Sequence, residues 1–157
     1  MIMNPIGGYF ELELSRGKEF HSDALRLNTG RNAFEYVLRA KEYKKVYLPY
    51  YICEVMLEPF NKLDIDYEYY SIEADLFPVI DFSVILDNEA LLYVNYFGIC
   101  DKQVEDVLKK CNNTIIDNSQ AFFSKPPEGI DTFYSPRKFF GIPDGAYLYT
   151  DKQLSED

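Results

Sequence analysis

Ala90-Leu91-Leu92-Tyr93-Val94-Asn95-Tyr96 is a nearly continuous apolar run. A strand with one face in water alternates apolar and polar side chains, whereas a strand covered on both faces does not. The run therefore predicts an inner strand of a parallel sheet with helices above and below it. The segments around it agree. Upstream, Asn32–Ala40 sets Ala33, Phe34, Val37 and Leu38 on one helical face. Val46–Leu48 reads as a short strand ended by Pro49. Ile52, Val55 and Met56 follow helical spacing until Pro59, which kinks or stops that helix. Ile65–Ile72 alternates loosely, as a strand does. Downstream, Asp101 can N-cap a helix that buries Val104, Val107, Leu108 and Cys111. Thr114–Asp117 is a short apolar strand ending in a carboxylate. Pro126-Pro127 and Gly129 then turn the chain into Thr132–Tyr134 and Ala146–Thr150. Strand and helix in alternation build βαβ units, so the expected class is α/β, a three-layer α-β-α arrangement around a mainly parallel sheet. Phe10-Glu11-Leu12-Glu13-Leu14 alternates at period two and reads as an N-terminal edge strand.

Composition narrows the functions open to such a domain. The 157 residues carry 16 Lys and Arg against 26 Asp and Glu, a net charge of −10. That balance argues against nucleic acid, whose phosphates need a basic surface. Hydrophobic residues at 47% exclude disorder as a description of the whole chain. No apolar stretch approaches the roughly 20 residues that span a bilayer, and Met1-Ile2-Met3-Asn4-Pro5 lacks the basic and apolar regions of an export signal. Cys53, Cys100 and Cys111 are an odd set without CxxC spacing, which fits reduced thiols and a cytoplasmic location. His21 is the only histidine, so a metal centre and a Ser-His-Asp or Cys-His site are both poorly supplied. The 14 Tyr and 12 Phe, without Trp, gather in runs that read as buried strands.

Ligands of open α/β sheets bind beyond the carboxyl ends of the strands, and four places there carry chemistry. Asn28-Thr29-Gly30-Arg31-Asn32 opens the first helix; Gly30 permits a tight turn, and the Arg31 and Asn32 amides would be free to hold a phosphate. Neither GxGxxG nor a GxxxxGK[ST] loop occurs, so dinucleotide and P-loop sites lack their signatures. Asp117 ends a buried strand, where an acid needs a cation or a helix to cap. Tyr134-Ser135-Pro136-Arg137-Lys138-Phe139-Phe140 puts a hydroxyl and two cations beside an aromatic strand end. Lost hydration and the neighbouring Arg137 would both favour a neutral, nucleophilic Lys138 amine. Pro143-Asp144-Gly145-Ala146 is turn chemistry and needs no further explanation.

Taken in order, a phosphate loop at a helix start, a strand-end Asp, then a Ser and a Lys on the next strand follow the layout of fold-type I pyridoxal phosphate enzymes. More narrowly, the chain resembles the DegT/DnrJ/EryC1/StrS family of sugar aminotransferases. The resemblance rests on Thr29 to Phe34, Val46 to Tyr51, Val94 to Gly98, Ile115 to Ala121 and Ser135 to Gly145. It implies an aspartate aminotransferase-like large domain with pyridoxal 5′-phosphate as cofactor. It implies further that Lys138 bonds the cofactor's aldehyde carbon, that Asp117 pairs with the ring nitrogen, and that Gln120 lies near the ring hydroxyl. Gly30, Arg31 and Asn32 match the phosphate cradle, and Ser135 resembles the serine that adds a hydroxyl to it, although it stands closer to Lys138 than is usual. The residue stacking on the ring would be Cys53 by spacing or Tyr51 by chemistry. Relatives continue into a separate small domain beyond the position of Thr150. Residues 1–157 would then be a single large domain, with 1–27 as an N-terminal extension and no small domain.

The implied activity moves an amino group from a donor such as glutamate to a keto-sugar nucleotide, in a homodimer whose sites lie at the two-fold interface. Lys138 favours transamination over the His-bearing dehydratases of the superfamily. Two alternatives stand beside it. One is a truncated, catalytically silent domain that folds, pairs and holds pyridoxal phosphate or another small phosphorylated ligand. The other is a generic doubly wound domain for a different phosphorylated ligand, which leaves Asp117 and Lys138 without a role.

Overall fold

The computed structural model describes residues 17–154; the Phe10–Leu14 strand expected from alternation lies outside them. In chain order the elements are β1 (Leu25–Leu27), α1 (Gly30–Lys41), β2 (Lys45–Pro49), α2 (Glu58–Leu63), β3 (Asp66–Ile72), β4 (Pro78–Val79), β5 (Glu89–Val94), α3 (Asp101–Leu108), β6 (Thr114–Asp117), β7 (Thr132–Tyr134) and β8 (Ala146–Tyr149). The eight strands form one sheet in the order β1-β8-β7-β6-β5-β2-β3-β4. Its centre is parallel, from β3 through β2, β5 and β6 to β7. The borders turn antiparallel, with β8 on β7, β1 on β8 and β4 on β3. The class is α/β, as the sequence predicts, and the sheet is mixed only at its margins.

The layering follows from the pleat, which sends successive side chains to opposite faces. Val46, Leu48, Ala90, Leu92, Ile115 and Phe133 point to one face and pack with Phe34, Val37 and Leu38 of α1 and Phe60 of α2. Tyr47, Leu91, Tyr93 and Ile116 point to the other and meet Val104 and Val107 of α3. Every residue from Ala90 to Val94 is buried, which is why that run shows no alternation. Each fully buried large apolar side chain contributes about 1.5–3 kcal/mol relative to an exposed one.

Two local readings need correction. Pro59 does not stop a helix: it stands in the first turn of α2, where a missing N–H costs nothing, and a 3-10 turn over Glu54–Leu57 precedes it. Asp101 is the first residue of α3 rather than its cap; Cys100 holds the cap position with no side-chain bond. The Asp101 carboxylate instead accepts from Asn95 Nδ2 at 2.8 Å and Ser124 Oγ at 2.9 Å, tying the β5 and β6 loops together. Among the described residues, no helix is long and apolar enough to cross a membrane, and no group of three His, Cys, Asp or Glu could hold a metal.

Candidate functional site

Asp117 is positioned by the sheet itself. It is paired with Val94 on one side and Phe133 on the other, and its carbonyl accepts the Asn95 N–H at 3.0 Å. Its side chain is buried at 6% exposure, with Oδ1 accepting the Ser119 N–H at 2.7 Å. Burial pushes this carboxyl up from its ordinary value, against the hydrogen bond from the Ser119 N–H and the positive charge of Lys138. A buried acid so placed is ready to receive a cation.

Three other segments converge on it. The start of α1 contributes Thr29, Gly30 and Arg31, the segment after β2 brings Cys53, Val55 and Met56, and the turn after β7 adds Ser135, Arg137 and Lys138. With Asp117 and Ser119 they line one open cleft of about 240 Å³ at the carboxyl ends of β6 and β7. Gly30 lies close to the cleft wall: a Cβ there would stand 3.3 Å from Ser119 Oγ, a tight contact, and 3.6 Å from the Phe133 ring. The structure thus brings together Gly30, Arg31, Cys53, Asp117, Ser135 and Lys138 of the residues singled out from the sequence.

It places the others elsewhere. Asn32 is not a free phosphate donor. Its N–H is bonded to Thr29 Oγ1 at 3.1 Å and its side-chain amide to Asn28 Oδ1 at 2.7 Å. Helix geometry leaves the Gly30 and Arg31 N–H groups without an intrahelical partner. Gln120 faces a different loop: its Oε1 accepts the Phe97 N–H at 3.0 Å. Its backbone carbonyl closes on Gly98, where a Cβ would come within 3.1 Å of it and φ is +69°. Tyr51 stacks on Tyr96 at 5.4 Å and 11°, and its carbonyl accepts the Tyr96 hydroxyl, so of the two stacking candidates it is Cys53 that lines the cleft. Lys138 lies on a 3-10 turn past the end of β7, not on the strand, and its side chain is exposed rather than stripped of water. Pro136 ends the strand pairing and throws the lysine outward.

Ser119 was not singled out from the sequence, although an Asp at a strand end is the signal of an Asx turn, in which the acid takes the N–H of the residue two further on. His21 takes no part in the cleft. It is buried, with Nε2 2.8 Å from the Phe122 carbonyl and Nδ1 3.0 Å from the Tyr149 hydroxyl, and burial lowers its pKa.

Solved structures share this arrangement of strands and helices. The sugar aminotransferase CalS13 from Micromonospora echinospora superposes with a TM-score of 0.63 at 15% identity, over 83% of this chain and 42% of that one. A DegT DnrJ EryC1 StrS aminotransferase from Brucella abortus gives 0.61 at 12% identity, over 82% and 41%. The E. coli GDP-4-keto-6-deoxy-D-mannose-3-dehydratase with bound hydrated PLP gives 0.57 at 14% identity, over 82% and 39%. The chain has the fold-type I large-domain fold. It spans less than half the length of each of these proteins. No protein-family model matches the sequence, and no curated protein matches it. In the large-domain fold seen here, the described cleft is made by the βα segments that the parallel centre of the sheet brings to one end.

Proposed function

We propose that the cleft holds pyridoxal 5′-phosphate and that the chain is the cofactor-binding part of an aminotransferase. The observation that carries this reading is one cleft lined by a buried carboxyl, Asp117, an exposed amine, Lys138, and the open amides of a helix start. The donor set fits the group. The Gly30 and Arg31 N–H groups, the Ser135 hydroxyl and Arg137 suit a phosphate, while Asp117 suits a protonated ring nitrogen. Bound there, pyridoxal phosphate supplies an electron sink for charge developing at a substrate carbon. Asp117 would hold the proton on the ring nitrogen. Lys138 Nζ would anchor the aldehyde carbon and, once released by the amino donor, carry the proton away from the donor's Cα. Glutamate as donor, a keto-sugar nucleotide as acceptor and cytoplasmic work complete the reading. A second copy of the chain is the partner it takes, since Phe97, Phe123 and Phe139 stand exposed together around a depression of their own.

The test is chemical. Protein mixed with pyridoxal phosphate, reduced with borohydride and digested should carry the pyridoxyl group on Lys138. Label spread over surface lysines with none at Lys138 sinks the reading. The exposure of Lys138 favours a second reading, a domain that binds the cofactor without turning it over. Holding the donor carboxylate so that its Cα–H stands beside the amine can account for roughly 7–11 kcal/mol of barrier lowering, and nothing along this open cleft encloses a donor. We expect little or no 2-oxoglutarate from glutamate and the loaded 157-residue chain; rapid formation would establish a complete aminotransferase instead.

A further inference from the structure

Ser119 touches both ends of the cleft. It is buried at 7% exposure, yet it lines the cavity. Its N–H is committed to Asp117 Oδ1 at 2.7 Å, which fixes the residue's orientation. Its Oγ lies against the first residue of α1, 3.3 Å from where a Gly30 Cβ would stand. At that place the N–H groups of Gly30 and Arg31 open into the cleft, while that of Asn32 is already taken by Thr29. A hydroxyl has a single proton to donate. The observed bond to Asp117 comes from the N–H, which leaves the hydroxyl proton for a ligand in the cleft.

We propose that the Ser119 hydroxyl is a direct ligand of the anion bound at the start of α1, to which it gives its one proton when the cleft fills. The proposal deepens the cofactor reading and rests on it for the identity of the anion, but its geometry concerns any phosphate. It gives Ser119 a role that the backbone N–H alone does not have. The N–H holds the acid, whereas the hydroxyl stands at the Gly30 end and is left to the anion.

Inorganic phosphate is the probe. It is titrated into the ¹⁵N-labelled full chain while the amide resonances of Gly30 and Arg31 are followed. Ser119→Ala keeps the N–H to Asp117 and removes only the hydroxyl, so the fold is retained; thermal unfolding checks this. A hydrogen bond to a charged group corresponds to about tenfold or more in affinity, and that loss is the expected result. Ser119→Thr keeps a hydroxyl and should restore most of it. Unchanged phosphate affinity in Ser119→Ala overturns the proposal, and so does a parent chain whose Gly30 and Arg31 amides do not respond to phosphate. Failure of the cofactor reading looks different: Ser119-dependent phosphate binding without a pyridoxyl group on Lys138 leaves the proposal standing and removes that reading.

Discussion

Asp117→Asn raises the melting temperature of the free chain at neutral pH while it strips the cleft of its hold on pyridoxal phosphate. The two effects have one cause. Burial raises the Asp117 carboxyl above its ordinary value of 3.8 in the folded chain. Just above that value the folded state therefore binds more protons than the unfolded state, and stability falls as pH rises through the window. The cost of the buried charge grows as pH rises above the ordinary carboxyl value and is complete once pH passes the raised folded one. Asn carries no charge, yet keeps a carbonyl oxygen for the Ser119 N–H. Each kcal/mol recovered moves the melting temperature of a chain of this size by about 2–4 °C. The gain should shrink toward zero as pH is lowered to about 3, where Asp117 is protonated in both states. Cofactor retention moves the other way. Removing one partner of a buried charge pair costs about 3–5 kcal/mol, several-hundredfold or more in affinity for the pyridoxyl ligand. Equal melting temperatures at pH 7 would show that the buried charge costs the fold nothing, and undiminished retention would take Asp117 out of the site.

Phe133→Ala carries the second large effect. The ring is fully buried on the α1 face of the sheet, 6.0 Å from the Phe34 ring and in contact with the place where α1 begins. Truncating a buried Phe costs about 3–5 kcal/mol, a drop of roughly 10 °C in melting temperature for this size of chain. Phe133 is also the β7 partner of Asp117, and its carbonyl accepts the Asn118 N–H at 2.8 Å. The cavity therefore opens under the wall that holds both Gly30 and the acid. Calorimetric unfolding is the measurement. A loss below about 1 kcal/mol would mean that the sheet collapses into the gap and that the packing beneath the cleft is not rigid.

What was legible in the sequence follows from which signals are local. The strands β2, β5, β6, β7 and β8 were readable because uninterrupted apolar runs between turn residues have few alternatives, and α1 because Ala33, Phe34, Val37 and Leu38 repeat at helical spacing. Pro59 was misread because proline looks the same at the end of one helix and the start of the next. Asp101 was misread because the partners that claim it, Asn95 and Ser124, come from loops distant in sequence. The site shows the same division. Gly30, Asp117 and Lys138 follow strands or open helices, and topology alone brings such positions to one end of the sheet. Gln120 left the cleft for the Phe97 amide, and Asn32 was occupied by Thr29 and Asn28, both decisions made by hydrogen bonds that spacing does not reveal. Ser119 was overlooked for the same reason, since its importance lies in the approach of Gly30 from 89 residues away along the chain.

Among the described residues, the sheet ends in two very short strands. Leu25–Leu27 closes one border with three residues, and Pro78–Val79 closes the other with two, one of them a proline without an N–H to offer. A foreign strand docking on β1 or β4 would find few free backbone groups to continue the ladder, although β4 covers β3 only at Ser71 and Ile72. Growth of the sheet from molecule to molecule, the usual road to fibres in aromatic-rich β structure, is thereby hindered at the β1 border. At the other it is left to the Asp66–Tyr70 part of β3, where the charges of Asp66 and Glu68 oppose it. What the chain offers any neighbour is then mainly side chains, the exposed rings of Phe97, Phe123 and Phe139 among them.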